Sequence, residues 1–437
     1  MNKCLVALLL FLFGCQHNLS RLSKMDIPEH FENVTIDSLN SGIPFKPCEP
    51  SIHINPANKE NMVAGVVLNK TLHSFDGGFT WHLNFVESPY GVFGDPVIGA
   101  DYEGNFYYAH LSDSEGRGRR SSGWIDRIVV QKSIDGGATW NEGSYAGHRP
   151  PADQDKHWLA VDPRNNHLYL TWTEFDRYGS VKATDHSRIL FSRSIDQGLS
   201  WSEAIAINEL EGDCLDGDNT TEGAVPCVGP EGQVYVAWSY NEQIYFDRSL
   251  DGGRTWLDKD IAAVSQPGGW DFDIPGFGRA NGMPVTGCDL SKGPYRGTIY
   301  VNYCDQKNGE DDTDVWIIKS TDGGLNWSRP LRVNDDVPGR HQFFTWMAVD
   351  PTTGAIYVVF YDRRNHVDSA TDVFLAYSFD GGQTFRNIKI SEKPFMPSTA
   401  VFLGDYNNIS AYDGVVRPIW TRLDRNKTSI LTAIINF

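Results

Sequence analysis

The stretch SIDGGATW, Ser133 to Trp140, decides the fold of this 437-residue chain because it recurs five more times. The other copies are SFDGGFTW (Ser74 to Trp81), SIDQGLSW (Ser194 to Trp201), SLDGGRTW (Ser249 to Trp256), STDGGLNW (Ser320 to Trp327) and SFDGGQTF (Ser378 to Phe385). Successive copies start 59, 61, 55, 71 and 58 residues apart. Such a repeat predicts one continuous body of stacked units, whereas length alone suggests two or three domains.

Each copy, named here a repeat turn, has the residue types of a tight hairpin. The Asp side chain can accept hydrogen bonds from backbone N–H groups of its own turn. The Gly positions permit positive φ, and the terminal Trp supplies apolar surface for packing. All these roles are structural. The repeat turns therefore predict equivalent hairpins, and the function is expected elsewhere.

A second repeated phrase precedes each repeat turn. Its copies are EPSIHINP (Glu49 to Pro56), DPVIGADYEGNFYYAH (Asp95 to His110), HWLAVDPRNNHLYLTW (His157 to Trp172), GAVPCVGPEGQVYVAW (Gly223 to Trp238), GMPVTGCDLSKGPYRGTIYVNY (Gly282 to Tyr303) and TWMAVDPTTGAIYVVFYD (Thr345 to Asp362). Each is a short apolar strand, a turn, and a second strand rich in Tyr, Val and Trp. One unit therefore has four strands, with the repeat turn between the third and the fourth. This pattern predicts a propeller blade.

The C-terminal part of the sequence predicts a seventh blade. The phrase GDYNNISAYDGVVRPIWTR (Gly404 to Arg422) and the following TSILTAIINF supply three strands without a repeat turn. The missing outer strand is predicted to come from ENVTIDSL (Glu32 to Leu39), because this exchange would close the ring and remove its open edge. We therefore expect an all-β propeller of seven blades. A six-bladed ring whose tail folds otherwise is the alternative.

The N-terminus has the pattern of a targeting segment. Lys3 gives a positive start, and the apolar run from Cys4 to Phe13 is too short to span a bilayer. Leu12-Phe13-Gly14-Cys15 resembles a bacterial lipobox, which implies cleavage before Cys15 and lipidation of its thiol.

These features give the predicted domains and location. We expect a lipoprotein signal peptide at residues 1–14, a tether and possible closing strand at 15–44, and one propeller domain at 45–437. The chain is then exported and lipid-anchored to the bacterial cell envelope, at the outer membrane or the cell surface. Secretion without an anchor and a cytoplasmic location are the alternatives.

Composition and motifs limit the partners and cofactors. A net charge of −18 argues against nucleic acid and against any membrane contact except through the lipid. No zinc or nucleotide motif occurs, so we expect a monomer without cofactor or metal. The loop around Asp216 and Asp218 leaves calcium as an option, although it lacks a correctly spaced distal Glu. Export would permit a disulfide, for which Cys214 and Cys227 are the first candidates, with all thiols free as the alternative.

The repeat turns resemble the Asp-box (BNR, bacterial neuraminidase) repeat, and the chain after residue 45 resembles the sialidase-like propeller superfamily. It is similar to exported bacterial proteins labelled exo-alpha-sialidase or BNR-repeat glycosyl hydrolase. The resemblance implies a carbohydrate-active propeller, although propellers host many functions. It also implies an Arg-Ile-Pro motif that opens an arginine triad, an acid/base Asp, and a Tyr nucleophile paired with a Glu. The corresponding stretch here, PCEPSIHINP (Pro47 to Pro56), has no Arg-Ile-Pro.

The predicted topology places a site on the face opposite the repeat turns. The starts of the inner strands share that face with the long, chemically varied loops, where binding groups concentrate. The candidate catalytic residues there are Asp95, Asp155, His157, Glu222, Asp405 and Tyr406. The candidate substrate-binding residues are Glu49, Trp158, Arg279, Asn281, Asp305, Trp346, Asp362 and Arg363. Each also has a structural interpretation, such as strand capping or a salt bridge between blades.

These residue types suit a glycan or polysaccharide. Paired carboxyl groups supply acid and base at a glycosidic bond, and arginines such as Arg279 and Arg363 bind the carboxylate of an acidic sugar. The first hypothesis is a sialidase-like exo-glycoside hydrolase that acts on an acidic glycan. The second is a non-catalytic propeller that binds a glycan or a protein. The third is a polysaccharide lyase with His157 or Tyr406 as base.

Overall fold

The computed structural model describes residues 30–39, 47–425 and 427–437. Over these residues the chain forms 29 β-strands and one short 3₁₀ helix, grouped into seven antiparallel sheets. The innermost strand of each sheet packs against those of its two neighbours, and the last packs against the first. The protein is therefore a seven-bladed β-propeller, as predicted, and the six-bladed alternative is wrong.

The strands follow the predicted unit. The first strand in the chain, β1 (Asn33–Leu39), belongs to the last blade. From inner to outer strand, blade 1 has β2 (Ser51–Ile54), β3 (Met62–Val66), β4 (Lys70–Ser74) and β5 (His82–Phe85); blade 2 has β6 (Val97–Ala100), β7 (Phe106–Asp113), β8 (Trp124–Ser133) and β9 (Ser144–Ala146), with the 3₁₀ helix (Gly118–Arg120) before β8; blade 3 has β10 (Asp153–Val161), β11 (Leu168–Phe175), β12 (Ser187–Ser194) and β13 (Ile205–Ala206). Blade 4 has β14 (Glu222–Val228), β15 (Val234–Tyr240), β16 (Gln243–Ser249) and β17 (Ile261–Ser265); blade 5 has β18 (Val285–Cys288), β19 (Ile299–Asp305), β20 (Asp314–Ser320) and β21 (Leu331–Arg332). Blade 6 has β22 (Gln342–Val349), β23 (Ile356–Asp362), β24 (Asp372–Ser378) and β25 (Arg386–Lys389); blade 7 has β26 (Asn408–Tyr412), β27 (Val415–Asp424), β28 (Lys427–Ala433) and β1, with β29 (Ile435–Asn436) on the start of β27.

The N-terminal strand closes the ring. Strand β1 pairs antiparallel with β28 and is the outermost strand of blade 7, which confirms the predicted exchange. Ile36 of β1 is buried in a cluster that includes Ile419 of blade 7 and apolar residues of blade 1. Asp37 Oδ2 lies 2.6 Å from Lys70 Nζ of blade 1, and both side chains are only 8% exposed. The first and last blades are therefore joined by apolar packing and by a buried ion pair.

The repeat turns hold their hairpins as the sequence predicted. Ser133 Oγ donates to Asp135 Oδ1 at 2.8 Å and accepts from the Gly137 N–H at 2.9 Å. Asp135 also accepts from the backbone N–H of Thr139 at 2.9 Å and from its hydroxyl at 2.6 Å. Gly137 has a φ of 93°, and a Cβ there would lie 2.3 Å from Val63 Cγ2 of the preceding blade. The turn therefore needs glycine both for its backbone and for close packing between blades.

The predicted signal peptide at 1–14, the lipidated Cys15 and most of the tether at 15–44 lie outside the described residues. In the part of the chain that the structure describes, no helix is long and apolar enough to cross a membrane.

The cysteines of the propeller are free thiols, so the predicted pairing of Cys214 with Cys227 is wrong. Cys227 lies on the inner strand β14, whereas Cys214 is buried in the loop that precedes this strand. Burial raises the pKa of the Cys227 thiol, and the charge of Cys288, on the neighbouring inner strand β18, raises it further.

Candidate functional site

A pocket of about 470 Å³ lies on the face of the ring where the inner strands begin. Its walls come from these strand starts, from loops between the second and third strands of blades 2 and 3, and from loops that lead into blades 5 and 7. These segments are the ones predicted to share a face. The charged residues that line the pocket are Glu49, Asp95, Arg119, Asp155, Lys156, Arg279 and Asp405, and the aromatic ones are Phe93, Trp124, Tyr178 and Phe402.

An unusual backbone conformation aims several side chains into the pocket. Glu49, Asp95, Lys156 and Phe344 have φ of 51°, 50°, 51° and 50°. Each lies five residues before the end of its inner strand, so the same left-handed residue recurs in four blades. Left-handed backbone in such residues costs on the order of 1–3 kcal/mol and clusters at functional sites. Three of these four strained residues are charged and line the pocket.

Lys156 is the centre of the charge cluster. Its Nζ lies 3.0 Å from Asp405 Oδ2 and 3.7 Å from both Asp95 Oδ2 and Asp155 Oδ2, and the side chain is 6% exposed. Burial alone would lower the pKa of Lys156, but the three carboxyl groups outweigh it and raise the pKa well above its ordinary value. Lys156 is therefore charged and holds three pocket carboxyl groups around one point.

Arg279 forms a second bridge at the pocket wall. Its Nε lies 3.0 Å from Asp405 Oδ1, and its Nη2 lies 2.9 Å from Asp216 Oδ2. The Tyr178 hydroxyl donates to the same Asp216 oxygen at 2.6 Å. Asn281, expected to bind substrate, instead donates its amide to the Asp405 backbone carbonyl at 2.8 Å. Both carboxylate oxygens of Asp405 therefore contact a cation, and its backbone carbonyl accepts from Asn281.

The pKa values of two neighbouring carboxyl groups are shifted in opposite directions. Burial alone would raise the pKa of Asp405, but Lys156 and Arg279 hold it below its ordinary value. Burial, followed by the charges of Asp95 and Asp405, raises the pKa of Glu49 well above its usual range. Glu49 Oε1 accepts a hydrogen bond from the Asp405 N–H at 3.2 Å. The anion of Asp405 is thus stabilised, whereas Glu49 holds its proton more tightly than an ordinary glutamate.

Asp95 and Asp155 form a carboxyl pair on the pocket wall. The Oδ2 atom of each lies 3.7 Å from Lys156 Nζ. Burial is the main cause that raises the pKa of Asp155 to about 7, and the charge of Asp95 adds to it. Burial also raises the pKa of Asp95, against the charge of Lys156. Burial therefore makes both pocket-lining carboxyl groups weaker acids than an ordinary aspartate.

Glu222 and His157 lie behind the pocket wall. Glu222 is fully buried and accepts from the Thr173 hydroxyl at 3.2 Å. Burial, and then the charge of Asp216, raises the Glu222 pKa well above its usual range. Burial lowers the pKa of His157 to about 4, so this imidazole is neutral. Neither side chain lines the pocket.

Three buried aromatic rings, from blades 3, 6 and 7, meet at the centre of the ring. The Trp158 and Trp346 ring centroids are 4.2 Å apart, and Tyr406 packs edge-on against Trp158 at 5.0 Å. Both tryptophans line a second cavity of about 270 Å³, which is bounded by the inner strands. Burial, and then the charge of Asp95, raises the Tyr406 pKa well above its usual range. The three predicted aromatic residues therefore form one buried cluster that does not itself line the pocket.

Asp305, Asp362 and Arg363 do not reach the pocket. The Arg363 guanidinium donates to the Pro275 carbonyl at 2.7 Å and supports the long loop before blade 5. Asp362 Oδ2 accepts from Arg364 Nε at 2.8 Å. Asp305 accepts a backbone N–H of the loop that follows β19. Their positions at strand ends indicated the correct face of the ring, but their side chains stabilise loops instead of facing the axis.

Besides Lys156, the pocket-lining residues that were not among the predicted site residues include Arg119, Trp124 and Tyr178. Arg119 has its guanidinium carbon 5.2 Å from the Trp124 ring centroid and 5.0 Å from that of Tyr178. Asp216 lies in the loop considered for calcium, where its carboxylate instead contacts Arg279. Among residues 30–39, 47–425 and 427–437, no group of three or more His, Cys, Asp or Glu side chains could hold a metal ion.

Comparisons with known proteins identify the fold. No protein-family model matches the sequence, and no curated protein matches it. A protein of unknown function from Dyadobacter fermentans matches with a TM-score of 0.52 at 13% identity, over 94% of this chain and 100% of that one. The NanB sialidase from Streptococcus pneumoniae matches with a TM-score of 0.51 at 9% identity, over 86% of this chain and 83% of that one.

The chain has a sialidase-like propeller fold. At such low identities the likeness shows the fold alone, so a function must be argued from the pocket. In this sialidase-like propeller, Lys156 and Arg279 are both paired with carboxylates of the chain itself.

Proposed function

We propose that this sialidase-like propeller is an exo-acting glycoside hydrolase with Asp155 and Asp95 as its acid and base. One observation carries the proposal: two carboxyl groups, those of Asp95 and Asp155, line the same pocket, and each lies 3.7 Å from Lys156 Nζ. Glycoside hydrolases commonly place two such groups around the scissile bond. The left-handed backbone at Asp95 and Lys156 supports the same assignment, because strain of this kind is retained where function needs it.

The proton balance assigns the two roles. Asp155 keeps its proton up to about pH 7 and can donate it to the oxygen of the leaving group. Asp95, once ionised, either activates the attacking water or attacks the anomeric carbon itself. Water supplies the hydroxyl that ends on the released sugar. Asp405, held as an anion beside Lys156, fixes the lysine and stabilises positive charge that develops on the sugar ring.

The shape of the pocket favours release of terminal sugars. Trp158, Trp346 and Tyr406 fill the ring axis beneath the carboxyl groups, so a glycan chain cannot thread through the propeller. A substrate must therefore enter with a chain end. The lyase hypothesis loses support, because its candidate bases His157 and Tyr406 are buried and do not line the pocket.

The pH dependence of hydrolysis tests the assignment. We expect kcat/KM to follow a bell, because Asp155 must be protonated and Asp95 ionised. The alkaline limb should fall with a midpoint near pH 7, where Asp155 loses its proton. The acidic limb should lie above the usual range of an aspartate, because burial raises the Asp95 pKa. A rate that still rises between pH 7 and 9 would contradict Asp155 as the acid.

We further propose that the chain is exported, lipid-anchored through Cys15 and monomeric, so that it acts on glycans of the cell exterior. The lipobox-like Leu12-Phe13-Gly14-Cys15 supports this location. Labelling of expressing bacteria with an alkyne fatty acid should mark the wild-type chain but not Cys15→Ser. Equal labelling of the two chains would contradict the anchor.

A further inference from the structure

We propose that the deep end of the pocket takes an uncharged terminal sugar and excludes a sugar that carries a carboxylate. This inference rests on the proposed hydrolase function and names its substrate class. It departs from the expectation of an acidic glycan bound by Arg279 and Arg363. The structure gives three independent reasons for the change.

The first reason is that both deep cations are already paired. Lys156 Nζ contacts Asp405, Asp95 and Asp155 at 3.0, 3.7 and 3.7 Å. Arg279 bridges Asp405 and Asp216 at 3.0 and 2.9 Å. A carboxylate of the substrate would have to displace one of these carboxyl groups, which would then lie unpaired in a buried site. Unpaired buried charge is strongly unfavourable.

The second reason is an excess of acceptors. Six carboxyl groups surround the two cations, namely Glu49, Asp95, Asp155, Asp216, Glu222 and Asp405. Two buried side-chain atoms of pocket-lining residues, the acceptor Asp95 Oδ2 and the donor Arg279 Nη2, have no hydrogen-bond partner among the described residues. A sugar hydroxyl group both donates and accepts, so it can satisfy an atom of either kind, whereas a carboxylate only accepts and cannot satisfy Asp95 Oδ2. The deep wall is therefore complementary to hydroxyl groups.

The third reason is that apolar side chains also line the pocket. Phe93, Trp124 and Phe402 line the pocket together with Leu68 and Val401. This surface suits the C–H face of a sugar ring. The remaining lining cation, Arg119, is exposed, and its guanidinium stacks on the rings of Trp124 and Tyr178. The pocket therefore offers both polar partners for sugar hydroxyl groups and apolar surface for a sugar ring.

Matched substrates test the inference with the full chain. Each pair consists of a 4-nitrophenyl hexoside and the corresponding uronide, which differ only in the carboxylate at C6; glucosides, galactosides and mannosides of both anomers form the panel. We expect kcat/KM for the preferred neutral member to exceed that for its uronide at least tenfold. Hydrolysis that favours uronides would overturn the inference while leaving the hydrolase intact.

Two variants test the physical cause. Asp216→Asn frees one contact of Arg279, and Asp405→Asn frees contacts of both cations. Each should shift the ratio of neutral to uronide turnover, or the ratio of their binding constants, towards the uronide by at least threefold. If Asp405→Asn does not fold, Asp216→Asn alone decides. An unchanged ratio in a folded Asp216→Asn would contradict pairing as the cause of selectivity.

Calorimetric titration with the free hexoses and uronic acids separates the two proposals. Binding of neutral sugars without any turnover would overturn the hydrolase and keep the substrate class. Turnover of uronides alone would overturn the proposed substrate class and keep the hydrolase. The absence of both binding and turnover across the panel would overturn both.

Discussion

Replacement of Asp155 by asparagine is expected to reduce glycoside hydrolysis by about 10²–10⁴-fold, the usual contribution of a general acid. Asparagine has the same shape as aspartate. Its side-chain oxygen can still accept the hydrogen bond that the backbone N–H of Lys156 donates to Asp155 at 2.8 Å. It cannot release a proton to the leaving group. The fold should therefore survive while the alkaline limb of the pH profile disappears. Measurement of kcat/KM against pH on the purified variant checks both expectations.

A matched control separates the chemistry from burial. Asp247 is also fully buried, and burial raises its pKa to about 7 as well. It lies on β16, away from the pocket, where it accepts the backbone N–H groups of Arg248 and Leu257. Asp247→Asn should leave kcat/KM near the wild-type value. Equal losses in Asp247→Asn and Asp155→Asn would mean that the activity reports folding and not an acid in the pocket.

Deletion of residues 1–40 is expected to remove most of the stability of the propeller, because β1 is the outer strand of blade 7. Loss of buried Ile36 costs roughly 1.5–3 kcal/mol. Loss of Asp37 leaves Lys70 unpaired at a buried site, which costs about 3–5 kcal/mol. Together these terms approach the whole stability of many proteins, about 5–15 kcal/mol. Chemical unfolding followed by circular dichroism measures the change.

Deletion of residues 1–29 is the control for this experiment, since it retains β1. Its unfolding midpoint should match that of the full chain. If the 1–40 deletion also unfolds at the same midpoint, the ring does not depend on closure by the N-terminal strand. The buried Lys70 contact would then contribute nothing measurable.

The architecture was predictable because it is encoded locally. Each repeat turn contains its own acceptor, its own positive-φ glycines and its own packing residue, so six blades can be recognised without tertiary information. The closing strand was predictable from what blade 7 lacked. The thiol pairing was not predictable, because the spacing of Cys214 and Cys227 does not show that one lies on an inner strand and the other in a loop.

A residue of the site was predictable from the sequence only where it lies at the start of an inner strand. Glu49, Asp95, Asp155 and Asp405 were found because inner-strand starts converge on the ring axis. The contacts of Asp216 were missed, because its partners Arg279 and Tyr178 belong to loops of other blades. The loop-supporting role of Arg363 was equally hidden, since only the folded chain brings the Pro275 carbonyl to it. Contacts between distant loops leave no periodic signal in a sequence.

The most direct test of the hydrolase is the identity of its products in water enriched in ¹⁸O. The full chain and its Asp155→Asn variant would be incubated with a panel of glycans, and the products read by mass spectrometry. Hydrolysis predicts a released terminal sugar that carries one ¹⁸O atom at its anomeric carbon, with little or no product from the variant. An unsaturated sugar without ¹⁸O would indicate elimination, and the absence of any product would indicate a binding propeller; either result would contradict the hydrolase.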